Sequence, residues 1–154
     1  MKTGSDFRIS VRQNVRPAPF SGKTLRRLIL RALAVLGAPS CDLRILVVDD
    51  PEIARWNSRF LGHEGTTNVI SFPEDEPSEG ETVRIAGDIL ISSPTCLSQT
   101  ADWEEEPEER VFFFILHAMF HLLGYDHVND RNAARRMRSR ELKVYRAVRS
   151  DPAP

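Results

Sequence analysis

Three of the four histidines fall within eleven residues, His117-Ala118-Met119-Phe120-His121-Leu122-Leu123-Gly124-Tyr125-Asp126-His127. Four residues apart on a helix, the imidazoles of His117 and His121 leave one face, a single turn from each other. Such a pair on an otherwise apolar segment is costly to bury without a partner. Gly124 can take a left-handed conformation and turn the chain back, which brings His127 within reach of the other two. Three nitrogen ligands with an open fourth position describe a catalytic metal site, and Zn²⁺ is the divalent ion that this set suits best. Asp126 has three open roles: orienting a ligand imidazole, relaying the proton of a bound water, or serving as a turn residue. A zinc peptidase with this histidine spacing would carry a glutamate directly after the first histidine as its base, and Ala118 stands there.

The elements that must position these residues follow from local pattern. Phe7-Arg8-Ile9-Ser10-Val11-Arg12 alternates as a half-buried strand does, and Leu43–Val48, Asn68–Phe72 and Ile85–Ser92 read as three more strands, the third stopped by Pro73. Ser21 caps a helix with apolar positions at Leu25, Leu28, Ile29, Ala32, Leu33 and Leu36, and Gly37 stops it. Asp49 or Asp50 before Pro51 opens a second helix, which Gly62 closes at about Leu61. Glu74 to Thr82 reads as an exposed acidic loop, and a loop with Pro94 and a short helix follow the fourth strand. The acidic run Glu104–Glu109 suits the positive first turn of the histidine helix, which ends at Gly124. A basic helix from about Asp130 to Val148 completes the order β-α-β-α-β-β-α-α. This is a single α+β domain over residues 1–154.

The chain has 154 residues, 41% of them hydrophobic and 28% charged, the balance of one globular domain with a real core. Its net charge of −1 hides a segregation. Residues 1–40 sum to +7, residues 41–129 to −13 and residues 130–154 to +5. Two basic ends form a phosphate-binding face if the fold brings them together, and otherwise are solvated helix faces. Arg135, Arg136 and Arg138 are the candidates for such phosphate contacts. The longest apolar stretch, Val111–Leu123, is too short to span a bilayer, and no membrane partner is expected. The N-terminus lacks an apolar signal core, and Cys41 and Cys96 form no CxxC motif, so a cytoplasmic protein with reduced thiols is expected.

The block His121-Leu122-Leu123-Gly124-Tyr125-Asp126-His127 resembles the signature of the YbeY family of metal-dependent endoribonucleases, with Ala118 a small departure. Asn57, Phe60, Gly62 and Thr67-Asn68-Val69-Ile70-Ser71-Phe72-Pro73 are similar to a second family block, and Gly87-Asp88-Ile89-Leu90-Ile91 to a third. The resemblance covers roughly residues 40–150. It implies a small mixed four-stranded sheet packed with helices, and a metal cleft made by the histidine helix and the turn after it. It also implies single-strand-specific RNA cleavage in 16S ribosomal RNA 3′-end maturation and ribosome quality control, with ribosomal RNA and ribosomal particles as partners. The family's second block carries an arginine, thought to be needed for activity, where this chain has Leu61. A replacement cation must then come from His63, from Arg59 if the helix ends early, or from elsewhere. His63 reads more readily as an exposed loop histidine. Without such a cation the expected protein is a metal-stabilised ribosome-assembly factor that binds RNA without cutting it.

Overall fold

The computed structural model describes residues 6–74, 84–125 and 130–150. Apart from Glu74, the acidic loop expected at 74–82 lies outside them.

Four strands make one sheet: β1 (Phe7–Gln13), β2 (Cys41–Val48), β3 (Val69–Pro73) and β4 (Ile85–Ser92), in the order β1-β2-β4-β3. The pairs β1–β2 and β2–β4 are parallel and β3–β4 is antiparallel, so the sheet is mixed. Parallel neighbours need a crossover, and α1 (Gly22–Leu36) supplies the one between β1 and β2. Pro73 ends β3 opposite Gly87 instead of stopping the strand one residue earlier. It is tolerated because β3 is an edge, where one row of ladder hydrogen bonds is absent in any case.

Both faces of β2 and β4 are apolar, so helices cover both. Leu43, Ile45, Val47, Ile85, Ile89 and Ile91 belong to the main core, together with α1 and the later helices α3 (Ser93–Gln99), α4 (Pro107–Leu122) and α5 (Arg131–Ser150). On the opposite face α2 (Asp50–Leu61) packs, burying Ile53 against Val48, Ile70 and Leu90. The caps arise from the expected residues. Ser21 Oγ accepts from the Thr24 N–H at 3.2 Å, the Asp49 carboxylate accepts from the Glu52 N–H at 3.0 Å, and Gly37 and Gly62 are left-handed. Helix α3 begins directly at the end of β4, with Ser92 as its cap and Pro94 in its first turn, so no loop separates them. Helices α1 and α5 pack on each other, which brings the two basic ends of the sequence together.

Helix α4 packs against β3, β4, α1, α3 and α5 and is the centre of the molecule. Its seat depends on Gly87. A Cβ there would stand 2.4 Å from the Phe72 carbonyl oxygen and 2.9 Å from the Leu122 side chain. Gly87→Ala should therefore separate β3 from β4 or push α4 outward, costing about 1–3 kcal/mol or more. The midpoint of denaturant unfolding measures this, and an unchanged midpoint would show that the strand edge yields without cost.

Candidate metal centre

Residues Val111 to Leu122 bury almost every side of α4, including Ala118 at 1% exposure. Phe113, His117 and His121 are the half-buried exceptions, and the two histidines are the polar ones among them. The helix ends as Gly124 permits, with φ 96°. The Gly124 N–H donates to the His121 carbonyl at 3.0 Å and the Tyr125 N–H to the Phe120 carbonyl at 3.1 Å. Those two bonds form a Schellman motif, and the rings of Phe120 and Tyr125 provide its apolar contact at 5.3 Å. The turn thus returns the Tyr125 carbonyl to the histidine face.

That return fixes His121. Its Nδ1 lies 3.0 Å from the Tyr125 carbonyl oxygen, which can only accept, so Nδ1–H donates and Nε2 carries the lone pair. His117 is held in the same sense by a different element. Its Nδ1 lies 2.6 Å from Oε1 of Glu141, a carboxylate on α5 whose side chain is only 5% exposed. Both rings therefore turn Nε2 inward, and the two nitrogens stand 3.1 Å apart. Two lone pairs at that distance repel unless a cation lies between them, either a proton or a metal ion. Two nitrogens bound to one tetrahedral Zn²⁺ at about 2.0–2.1 Å would be roughly 3.3 Å apart, so the pair fits that ion with little adjustment. A carboxylate and a carbonyl on the outer nitrogens are the usual partners of metal-binding imidazoles.

Glu141 is absent from the sequence-derived site. The signal was present but faint: it is the one carboxylate of α5, on the stripe that Met137, Val144, Tyr145 and Val148 bury. Asp126 and His127 lie outside the described residues. Among the described residues no third ligating side chain joins His117 and His121.

The remaining candidates separate. Helix α2 runs through Leu61, so it does not end early, and the Arg59 guanidinium lies over the Phe60 ring at 5.7 Å. Leu61 is 46% exposed. His63 is exposed, and its backbone N–H donates to the Asn57 carbonyl at 3.2 Å. The loop that carries it is tied down at two points. The Asn57 amide donates to the Gly65 carbonyl, and the Thr66 hydroxyl donates to Asp50. Asp50 also accepts from Ser92 and Thr95, and these hydrogen bonds hold its carboxyl below the usual carboxylate range. Arg135 and Arg136 line one groove on α5 with Asn132, Ser139 and Arg140, whereas Arg138, exposed on the same helix, does not line it. Both thiols are buried, and burial pushes Cys96 up to about 12, so neither is a nucleophile.

A family model described as Endoribonuclease YbeY matches residues 9–149. The chain belongs to the YbeY family. Among its relatives, an Endoribonuclease YbeY of Syntrophotalea carbinolica is 34% identical over 131 residues, covering 84% of this chain and 87% of that protein. An Endoribonuclease YbeY of Geobacter metallireducens is 31% identical over 141 residues, covering 90% and 94%. The solution structure of TM1509 from Thermotoga maritima superposes with a TM-score of 0.61 at 19% identity, over 91% of this chain and 88% of that one. That similarity concerns the fold, and the YbeY match extends into β1, beyond the sequence blocks that first suggested it.

Proposed function

We propose that this chain is a metal-dependent endoribonuclease that cuts single-stranded RNA and acts on ribosomal RNA in 16S 3′-end maturation and ribosome quality control. Its membership of a family whose relatives are named endoribonucleases supports the reaction class. One observation supports the metal: two imidazoles on adjacent turns, both held through Nδ1, with Nε2 atoms 3.1 Å apart. His117, His121 and His127 would hold the ion, with Zn²⁺ the best fit to their chemistry. Such an ion lowers the pKa of bound water and polarises a phosphate oxygen. Glu141 and the Tyr125 carbonyl keep the ligand rings oriented, and Asp126 takes either the same orienting role or that of proton relay. No helix among the described residues is long and apolar enough to cross a membrane, and the cytoplasm is the compartment where this substrate is found.

The test is cleavage of unstructured RNA by the zinc-loaded protein, with and without chelator, beside a sample of unfolded protein as substrate. RNA cleavage that chelator abolishes is the expected result, and RNA left intact under every metal condition would remove the nuclease reading. The exposed apolar Leu61 favours one alternative, an assembly factor that binds ribosomal RNA without cutting it. The peptidase reading loses ground further, because position 118 faces the core and could not present a base to solvent.

A further inference from the structure

We infer that the groove on α5 lined by Asn132, Arg135, Arg136, Ser139 and Arg140 is a phosphodiester-binding subsite, gripping the backbone of single-stranded RNA beside the metal centre. The inference rests on the proposed action on RNA and assigns that substrate a place on the surface. Three guanidiniums converge there, and no carboxylate lines the groove among the described residues. Arg135 and Arg136 are exposed and form no hydrogen bond or ion pair among the described residues, so their donors are open to an anion.

The groove adjoins the metal centre through two contacts. Arg140 donates to the Tyr125 hydroxyl and lies over that ring, and the carbonyl of the same tyrosine holds His121. Its chain neighbour Glu141 holds His117. Arg136 and Arg140 are one helical turn apart, so their side chains emerge about 5–6 Å from each other along the groove. Planar guanidinium forks suit phosphate oxygens, and Asn132 and Ser139 add neutral donors. Arg138 points to another side of α5 and has no part in this subsite.

Arg138 therefore provides an internal control of equal charge on the same helix. Binding of a single-stranded RNA oligonucleotide, read by fluorescence anisotropy before appreciable cleavage and at several salt concentrations, distinguishes the residues. The double variant Arg136→Glu with Arg140→Glu should weaken binding roughly tenfold or more and lower the salt slope by about 1.4, with Arg138→Glu close to wild type. Arg135→Gln with Arg136→Gln leaves the Tyr125 contact in place and should still show much of the loss, which excludes damage to the turn. Equal losses at Arg138 and in the groove would overturn the subsite and leave only diffuse attraction. If wild-type protein binds no RNA at any salt, the proposed function fails as well, a result distinct from the first.

Discussion

Alanine at His117 or at His121 should take the protein from about one equivalent of divalent ion to nearly none, and RNA cleavage should vanish with it. Three-ligand sites lose binding severely when one nitrogen is removed, since metal affinity is a sum over few strong bonds. The structure makes the expectation stricter than the ligand count alone. Each imidazole is already committed to one tautomer, His121 by the Tyr125 carbonyl and His117 by Glu141, so little reorganisation opposes binding. Glu141→Ala should therefore weaken Zn²⁺ binding by about tenfold to a hundredfold, the usual range for a partner of a ligand imidazole. Glu141→Gln, whose amide oxygen can still accept from Nδ1, should recover most of that loss. His63→Ala should leave the metal content unchanged, because His63 is exposed and the hydrogen bonds that orient the two ligand rings come from Glu141 and Tyr125. Competition with a chromophoric chelator gives the affinities, and thermal melting of the metal-free variants separates lost ligation from lost folding. Full occupancy in His117→Ala and His121→Ala would disprove the centre.

The parts of this molecule that were legible in sequence are those decided within a few residues. Ser21, Asp49 with Pro51, Gly37, Gly62 and Gly124 act on their own turn of chain, so helix ends and the fold-back after His121 could be read locally. Alternation marked β1 and apolar runs marked the other strands, but neither signal says which strands are neighbours, and the insertion of β4 between β2 and β3 was not readable. Glu141 was missed for the same reason. Its meaning depends on α5 docking on α4, a contact twenty-four residues away in sequence from His117. The grouping of Arg135 and Arg136 with Arg140 in one groove, apart from Arg138, depends on the same docking. Once Met137, Val144, Tyr145 and Val148 define the buried stripe, Arg136 and Arg140 flank it at one side and Arg138 falls elsewhere. Helical spacing and the glycine turn singled out the histidines, yet the residues that orient them became visible only in three dimensions.

Leu61→Arg should raise RNA cleavage, by about a hundredfold if wild type cleaves slowly, while changing metal content and stability little. A phosphodiester transition state gathers negative charge, and a positioned cation or donor beside it is worth about 10²–10³ in rate. The family resemblance implies an arginine where this chain has leucine. Leu61 is 46% exposed in the last turn of α2, so a longer cationic side chain displaces no core contact there. A positive charge also suits a helix C-terminus. Of the two nearby groups, Arg59 is turned onto the Phe60 ring, and His63 sits in the exposed loop beyond Gly62. The initial rate of cleavage of unstructured RNA under saturating metal is the measurement, run on wild type, Leu61→Arg, His63→Ala and the Leu61→Arg, His63→Ala double variant. A gain in both arginine variants identifies the missing cation as the limiting element. If His63→Ala alone abolishes cleavage, the loop histidine is the substitute after all. Wild type that binds RNA and does not cut it, with no gain from arginine, would instead select the assembly-factor reading.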